Sequence, residues 1–543
     1  MKEQLISNIS QCLANLDYPS VDVTIQRPKS PEHGDFASNI ALVLAKPLGK
    51  NPREIAESIK IELQNSFSDN FDSIDIAGPG FINFRLKKSV LSELLLNIIS
   101  EAKNYGRTEI GNNKRALVEF VSANPTGPLT VGHGRGAMLG DTVSNILEWN
   151  GYDVQREYYF NNAGRQMRVL GQSVHARYLE LLGQNAELPE GGYEGKYIYD
   201  IAQKVIDEHT DSLKENSDEP IFKNAAEFHI FEDIKSTLSR LGLVFDTFFN
   251  ENTLYENGEI TNVVETLREK KLAYDKEGAT WFAGTTVGRE VDRVLIKSTG
   301  EPTYRLPDIA YHKDKFSRGY DLMVDVFGAD HMDAYPDVMA AIDNLGFDSE
   351  KVKVLIHQFV TIMRDGNPVK MSTRKANFVT LDELIDEVGA DVVRYFFIMR
   401  GMNSHLNFDL DLAKDQSDEN PVFYLQYAHA RVCNIIKRGE AFDHPLNLKC
   451  DLSLLDKEIE HQLIQKLSEL PEVIERAHTS LEPQMVANYL HELAMVFHRY
   501  YAQEKVVTDD KALTAARLIL VEATRIVFLN GLTILGISAP EKM

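Results

Sequence analysis

The chain has 543 residues, 43% hydrophobic and 26% charged, which is ordinary soluble usage and enough length for three or four domains. A formal net charge of −23 argues against non-specific nucleic-acid binding over the whole surface, although local basic stripes remain compatible with RNA. Three cysteines without metal-ligand spacing, and the lack of a signal peptide or a run of 18 apolar residues, predict a cytoplasmic protein with no structural metal and no membrane contact.

The first predicted unit covers residues 1–110 and mixes helices with strands. Its elements follow from periodicity and turn residues: a helix at 4–16, a strand at 21–25, a loop at 31–38, a helix from Ile40, two strands within 74–86 and a helix at 91–103. The order predicts an α+β domain.

A strand, a turn and a glycine-rich helix start follow at 116–149. Residues 116–121 are apolar and β-branched, 124–128 break the strand, and a helical pattern covers 132–149. Free N–H groups at a helix start form an anion site, to which His133 and Arg135 can add charge. The same residue pattern is also typical of an ordinary strand–helix connection in an α/β protein.

Residues 111–415 read as one α/β unit. The strand candidates are 116–121, 154–159, 291–296, 322–326 and 352–356. Their alternation with helices predicts a parallel, doubly wound sheet. A helical stretch at 162–241 interrupts it, and we place an insertion at about 162–290.

A basic loop follows at 369–375, after the turn at 365–368. Lys370, Arg374 and Lys375 lie beside Ser372 and Thr373, a set of groups suited to gripping a triphosphate. A solvated surface turn is the alternative for such a loop taken alone.

The last unit, 416–543, is predicted to be all helical, after a junction at 406–411. Four helical patterns cover 422–438, 454–477, 483–503 and 511–536. Tyr424 and Tyr427 share one helical face. Their aromatic rings suit either base stacking or packing within a helical bundle.

The two phosphate-site candidates together resemble the signatures of class I aminoacyl-tRNA synthetases. The sequence around them is similar to the arginyl-tRNA synthetases in particular. The motifs that carry this resemblance are EFVSANPTGPL at 119–129, KMSTRK at 370–375, QYAHAR at 426–431 and APEKM at 539–543. The resemblance implies a multidomain α/β protein: a Rossmann-like class I catalytic domain between an α+β N-terminal domain and an all-α anticodon-binding domain.

The resemblance also implies the reaction. Arginine and ATP would form an arginyl-adenylate, and the arginyl group would pass to tRNA(Arg). The expected partners are therefore L-arginine, ATP with Mg²⁺, and tRNA(Arg), and the expected oligomeric state is a monomer.

Site residues follow from the resemblance position by position. The catalytic candidates are His133, Thr130, Gly132, Lys370 and Arg374. The ATP candidates are Pro125, Gly132, His133, Gly136, Gly328, Asp330, His331, Val360, Lys370, Met371 and Ser372. The arginine candidates are Glu119, Ser122, Asn124, Tyr304, Asp308 and His331. The tRNA candidates are Phe81 and Asn83 for the D-loop, and Tyr424, Tyr427, Tyr501 and Met543 for the anticodon.

A guanidinium pocket needs carboxylates, which Glu119 and Asp308 provide. Glu119 lies in an apolar run, so it requires a cationic partner, either the substrate or an internal arginine. Tyr304 and Asp308 lie one helical turn apart if Pro307 permits a helix there. Phe81 would serve equally well as a core residue, and Asp330 with His331 as a simple ion pair.

The sequence departs from the family pattern at three positions. Thr130 stands where the first signature histidine is expected, Thr373 stands where the loop usually has its second lysine, and Asn162 stands where family members often have Asp. Arg374 or Lys375 would have to reach the γ-phosphate instead. Two alternatives remain open: a non-catalytic RNA-binding relative, and a class I enzyme for another amino acid.

Overall fold

The computed structural model describes residues 2–28, 30–67, 70–162, 164–214, 219–369 and 379–543. Its first unit contains α1 (Lys2–Asn15), β1 (Ile25–Gln26), β2 (Phe36–Ser38), α2 (Ile40–Leu48), α3 (Pro52–Phe67), β3 (Phe71–Ala77), β4 (Phe81–Leu86) and α4 (Lys88–Glu101). The four strands form an antiparallel sheet of order β1-β2-β4-β3. The α+β prediction is confirmed.

Two local predictions in this unit were wrong. The strand predicted at 21–25 is reduced to Ile25–Gln26, and the predicted loop at 31–38 ends in the strand Phe36–Ser38. Phe36 and Ser38 are buried and pair with β4, so tertiary pairing overrides the turn-forming residues that precede them.

The middle of the chain contains the parallel sheet and its helices. They are β5 (Arg115–Glu119), α5 (Val131–Trp149), β6 (Asp153–Phe160), α6 (Gly164–Leu181), α7 (Lys196–His209), α8 (Glu219–Arg240), β7 (Thr247–Asn250), α9 (Asn252–Glu256), α10 (Glu259–Glu269), β8 (Ala273–Lys276), β9 (Ala279–Phe282), β10 (Arg293–Ile296), α11 (Arg305–Ser317), β11 (Leu322–Gly328), α12 (Tyr335–Leu345) and β12 (Val352–His357). The strand order is β12-β11-β5-β6-β7, with every pairing parallel.

The predicted doubly wound sheet is therefore present, with two changes of membership. The strand predicted at 291–296 forms as β10, but it belongs to a separate antiparallel sheet with β9 and β8. The fifth parallel strand is instead β7, which the sequence pattern did not indicate. A short apolar run reveals a strand but not its partner, because pairing is decided by contacts distant in sequence.

A small mixed sheet and the helical unit complete the chain. Their elements are β13 (Val360–Arg364), β14 (Asn367–Pro368), α13 (Leu381–Val388), α14 (Ala390–Ile398), β15 (Leu406–Asp409), α15 (Leu410–Lys414), α16 (Pro421–Ala441), α17 (Glu458–Leu467), α18 (Leu470–Ser480), α19 (Gln484–Gln503) and α20 (Lys511–Leu535). The junction predicted at 406–411 is the strand β15, parallel to β13. The single helix predicted at 454–477 is two, α17 and α18.

Helix α20 is long and apolar enough to cross a membrane by length and composition, but 78% of its apolar window is buried inside the protein. It packs against α16, α17 and α19 and also against α4 and α5. Asn530 on α20 donates to the carbonyl oxygens of Ala102 and Tyr105 at 2.9 and 3.0 Å. The helix is thus the core of the C-terminal unit and joins it to the two preceding units.

Candidate active site

Helix α5 begins at the carboxyl edge of the parallel sheet, and its first turn carries His133, whose imidazole ring is held by a hydrogen bond. The backbone N–H of Thr130 donates to Nδ1 of His133 at 3.1 Å, and the Thr130 hydroxyl lies 3.3 Å from the same atom. Because Nδ1 accepts this hydrogen bond, the proton of the neutral ring is on Nε2. Burial lowers the pKa of His133, while Asp330 acts in the opposite direction. The ring is therefore a neutral hydrogen-bond donor near pH 7.

Two of the glycines at this helix start lie against neighbouring side chains. A Cβ at Gly134 would lie 2.7 Å from Leu381 Cδ1, and one at Gly136 would lie 3.0 Å from His357 Nε2. Gly132 is exposed, and the Gly134 N–H already donates to the Thr130 carbonyl at 3.2 Å. The three glycines therefore do not all offer a free N–H group to an anion. Gly134 and Gly136 let neighbouring segments approach the helix.

Arg135 does not add charge to this site, contrary to the prediction. Its guanidinium is buried and donates to the carbonyl oxygens of Gln358 (2.7 Å), Ser404 (2.9 Å) and Gly401 (3.0 Å). Burial lowers the pKa of Arg135 to about 10. The side chain thus connects α5 to the two segments that lead into β13 and β15.

A strained turn separates β5 from α5. Val121 and Ser122 have φ values of 70° and 45°, and the Ser122 N–H donates to the Phe120 carbonyl at 3.0 Å. A β-branched residue with positive φ is costly, by about 1–3 kcal/mol. The turn directs the Ser122 hydroxyl back onto Glu119 Oε1 at 2.9 Å. Farther along, Asn124 donates to Gln166, and Pro125 is buried.

Three carboxylates stand side by side across the sheet. Asp325 on β11 pairs in register with Glu119 on β5, which pairs with Glu157 on β6. All three are buried, and we call them the acid row. Like charges opposite one another on neighbouring strands destabilise a sheet unless cations neutralise them.

Helix α11 faces the acid row with an imidazole and two cations at three-residue spacing. His312 Nε2 lies 2.8 Å from Asp325, and the Lys315 ammonium donates to Glu119 Oε2 (2.5 Å) and Asp325 Oδ1 (2.6 Å). Arg318, at the helix end, donates to both oxygens of Glu157 at 2.6 and 2.8 Å. Glu119 therefore has the cationic partner that its burial requires, and this partner is a lysine rather than an internal arginine.

Two further carboxylates beside the acid row form no ion pair within the described residues. Asp308 lies in the first turn of α11, and its carboxylate makes no hydrogen bond there. Glu251, buried after β7, accepts from Tyr159 Oη (2.7 Å) and Asn161 Nδ2 (2.9 Å), both neutral groups. Burial raises the pKa of Asp308 to about 7; the negative charges of Glu119 and Glu251 add to this rise, and His312 and Lys315 oppose it. These unneutralised acids are suited to receiving a cationic ligand.

Sequence reasoning missed Glu251 as well as Lys315. A lone acid after a four-residue strand gives no sequence signal, and its relation to Asp308 depends on the fold. Tyr159 connects Glu251 to the helix that carries Asp308. Its hydroxyl donates to Glu251, and its ring packs on the ring of Tyr311, with 4.5 Å between the centroids. Tyr311 follows Asp308 by three residues on α11.

The predicted turn at Tyr304 is helical despite Pro307. The Asp308 N–H donates to the Tyr304 carbonyl at 3.2 Å, so both side chains lie on one face of the start of α11. The Tyr304 side chain is 74% exposed.

The ends of β11 and β12 complete this edge. Gly328 pairs with His357, and Asp330 and His331 follow in an exposed turn, with 3.8 Å between their charged atoms. The His331 ring stacks on Phe327. An Asp–His pair this long and exposed is weak, so the simple ion-pair alternative explains little. Val360, half-buried, begins β13 beside them.

Lys370, Met371, Ser372, Thr373, Arg374 and Lys375 lie outside the described residues. The residues that bracket this segment are defined. The Val369 N–H donates to the Ile362 carbonyl at 2.9 Å, and Thr380 forms an antiparallel bridge with Thr130. Leu381 N–H donates to the Leu129 carbonyl at 2.8 Å. The described residues that follow this segment therefore begin beside the start of α5.

The candidate tRNA contacts fall in two places. Phe81 is 40% exposed at the tip of the β3–β4 hairpin, so the core alternative was wrong, whereas Asn83 is buried. Tyr424 and Tyr427 meet His498 of α19, with ring centroids 4.8 and 6.3 Å apart. Arg431 lies over the rings of Tyr427 (4.4 Å) and Tyr501 (5.3 Å).

Three of the four predicted anticodon residues therefore share one cationic, aromatic cluster. The fourth, Met543, is 53% exposed. Within the described ranges, no group of three or more His, Cys, Asp or Glu side chains has the arrangement of a metal site.

Known proteins resemble the chain over its full length. Three family signatures match: the arginyl tRNA synthetase N terminal domain at 3–86, the class I (R) tRNA synthetase catalytic domain at 94–396, and the DALR anticodon binding domain at 425–543. An arginine–tRNA ligase of Desulfotalea psychrophila is 51% identical over 96% of this chain and 94% of its own. One of Salinibacter ruber is 48% identical over all of both. The solved arginyl-tRNA synthetase of Thermus thermophilus shares the fold, with a TM-score of 0.78 over both whole chains at 22% identity.

Proposed function

The chain belongs to the arginyl-tRNA synthetase family of class I enzymes and charges tRNA(Arg) with arginine, and we propose that the site around α5, the acid row and α11 performs this reaction. The observation that carries the assignment of the arginine pocket is the pair of carboxylates, Asp308 and Glu251, that form no ion pair among the described residues. Arginine-dependent ATP–pyrophosphate exchange in the presence of tRNA tests the activity. Exchange that depends equally on a neutral amino acid would contradict the pocket assignment.

In the proposed pocket the substrate guanidinium lies against Asp308 and Glu251, with Tyr304 as the outer wall. The proposed pocket continues toward α5 along Glu119, Ser122 and Asn124. The α-amino and carboxylate groups of arginine are proposed to bind there. His331 is proposed to lie at the same edge of the parallel sheet. A planar cation between carboxylates forms charged hydrogen bonds worth about 1.5–3 kcal/mol each. A neutral or apolar amino acid would leave the acids unpaired.

In the first step the arginine carboxylate attacks the α-phosphorus of ATP, an O–P bond forms, and pyrophosphate leaves. The carboxylate is already ionised at pH 7, so the step requires no general base. We assign to the Nε2–H of His133 a hydrogen bond to a phosphoryl oxygen, which strengthens as charge develops there. The backbone N–H of Thr130 holds the ring, and this bond does not depend on which side chain occupies position 130.

ATP is proposed to lie along Pro125, Gly132, Gly136, Gly328, Asp330 and Val360. Mg²⁺ is proposed to arrive with the nucleotide, bound by its phosphates. Lys370, with Met371, Ser372 and Arg374, is proposed to neutralise the β- and γ-phosphates. The supporting observation is that the chain resumes at Thr380 beside Thr130. In the second step a ribose hydroxyl of the tRNA 3′ end attacks the activated carbonyl, and AMP leaves.

We predict that kcat/KM for arginine rises with pH, has the midpoint of this rise at about pH 7, and levels off at higher pH once Asp308 is fully ionised. The raised pKa of Asp308, about 7, means that this acid is protonated and uncharged below that pH in the free enzyme. Because the guanidinium stays charged, binding falls as Asp308 gains its proton. Aminoacylation measured from pH 6 to 9 tests this. Asp308→Asn should remove the inflection, and an unchanged inflection in that variant would assign it to another group.

The aromatic cluster of α16 and α19 is proposed to bind the anticodon, with Phe81 and Asn83 contacting the D-loop. Tyr427→Ala should raise the KM for tRNA about 5- to 150-fold, because a stacked base contributes about 1–3 kcal/mol. The KM values for ATP and arginine should not change.

Tyr199→Ala is the matched control for this variant. Arg177 covers the ring of Tyr199 at 4.6 Å, so the same kind of arginine–tyrosine contact is removed, but from α7. Equal effects of the two substitutions on the KM for tRNA would refute the anticodon assignment.

We further propose domain boundaries at 1–110, 111–415 and 416–543, with an insertion at about 162–290. The enzyme is proposed to act as a monomer in the cytoplasm. Sedimentation of the purified protein with and without tRNA tests the oligomeric state.

A further inference from the structure

The single ammonium group of Lys315 forms ion pairs with two carboxylates. Its side chain is completely buried, its Nζ donates to Glu119 and Asp325, and it lies 4.3 Å above the Tyr311 ring. It is too deep to contact a ligand outside the acid row. Any effect of Lys315 on substrate binding must therefore pass through its two partners or through its charge acting on Asp308, whose pKa it lowers.

The two partners do not depend on Lys315 equally. Asp325 also faces His312 at 2.8 Å, whereas the other oxygen of Glu119 receives only the Ser122 hydroxyl. Burial raises the pKa of Glu119, and the positive charge of Lys315 opposes this. The pKa of Asp325 is lowered by Lys315 and His312, which outweigh its burial.

The ionisable groups around Glu119 come from four elements. They are Asp308, Tyr311, His312 and Lys315 on α11, Asp325 on β11, Glu157 and Tyr159 on β6, and Glu251 after β7. Glu157 is neutralised by Arg318, while Asp308 and Glu251 add negative charge near Glu119. If Lys315 were neutral, this environment would drive a proton onto Glu119 rather than Asp325.

We propose that Lys315 is a positioning residue for arginine recognition, which keeps Glu119 ionised and oriented at the strand end so that the substrate cation can bind there. The inference rests on the proposed function, because it requires that Glu119 contacts arginine. Lys315 itself does not touch the substrate. The buried charge of Lys315 keeps the Glu119 carboxylate ionised, so that Glu119 remains a hydrogen-bond acceptor for the substrate.

The test compares Lys315→Met, Glu119→Gln and the double variant in steady-state aminoacylation. Lys315→Met should raise the KM for arginine about tenfold or more at pH 7, with kcat and the KM for ATP within about threefold. The ratio of its KM to that of the wild type should fall as the pH rises, because Glu119 loses its proton. The double variant should match Glu119→Gln alone within about twofold, because both changes remove one interaction.

Arg318→Met is the matched control, since it also removes a cation that α11 contributes to the acid row. Its partner Glu157 is outside the proposed pocket, so the KM for arginine should stay near that of the wild type at every pH. If Lys315→Met does not fold, Lys315→Arg replaces it. Retention of charge then predicts a KM ratio that is independent of pH, and a ratio that falls with pH would overturn the proposal.

The outcomes separate the two levels of inference. A raised KM in Glu119→Gln with an unchanged KM in Lys315→Met would overturn the role of Lys315 and leave the pocket intact. Additive effects in the double variant would also overturn it, because Lys315 would then act independently of Glu119. An unchanged KM in Glu119→Gln would refute the pocket assignment of Glu119 and the positioning role with it.

Discussion

His133→Ala is expected to lower kcat for aminoacylation about 100- to 1000-fold, with the KM for arginine within about threefold of the wild type. A preorganised donor aimed at developing charge contributes about 2.7–4 kcal/mol to the transition state, which corresponds to this loss. The Thr130 N–H fixes the ring, and burial keeps it neutral, so its Nε2–H is already oriented before ATP binds. Single-turnover adenylate formation is the direct measurement.

His133→Asn is the matched variant for this prediction. An asparagine amide can donate from nearly the same place, so this variant should retain more activity than His133→Ala. Equal and modest losses of less than about tenfold in both variants would show that His133 contributes packing at the start of α5 and not a bond to the phosphoryl group.

Asp308→Asn should raise the KM for arginine roughly 10- to 150-fold, the equivalent of one charged hydrogen bond of about 1.5–3 kcal/mol. The carboxylate has no ion pair or hydrogen bond among the described residues, so its removal leaves no buried partner unsatisfied. The protein should therefore fold as stably as the wild type. Initial rates over a range of arginine concentrations, with thermal unfolding as a check, give both quantities.

Asp314→Asn on the same helix is the control for Asp308→Asn. Asp314 pairs with Arg318 at 3.0 Å and lies two turns from the start of α11, so its loss should not change the KM. A similar KM increase in both variants would mean that the helix as a whole, and not Asp308, affects arginine binding.

The strand–turn–helix at 115–149 was predictable because its signals are local. Residues 116–118 are apolar, 124–128 cannot continue a strand, and the periodic pattern of α5 starts after Thr130. The structure places β5 at 115–119 and α5 at 131–149, within two residues of these bounds. The α+β, parallel-sheet and helical units follow from the same kind of evidence.

The acid row could not be predicted, because it depends on the register of three strands that are far apart in sequence. Asp325 and Glu119 are separated by about 200 residues, and no pattern in either strand reveals that they are neighbours. The same limit explains why Glu251 was missed and why β10 was assigned to the wrong sheet. Arg135 was misjudged for a related reason: the sequence gives its position on the helix but not the carbonyl oxygens that it meets.

The three-residue spacing of His312, Lys315 and Arg318 restricts how this chain can change in length. One residue inserted between the first two would rotate the rest of α11 by about 100° and lengthen it by about 1.5 Å. The later cations would then face away from their strands and leave several charges buried together. Insertions and deletions are therefore tolerable in connections such as 183–195, while within α11 only substitutions that keep the helix the same length preserve the pairing.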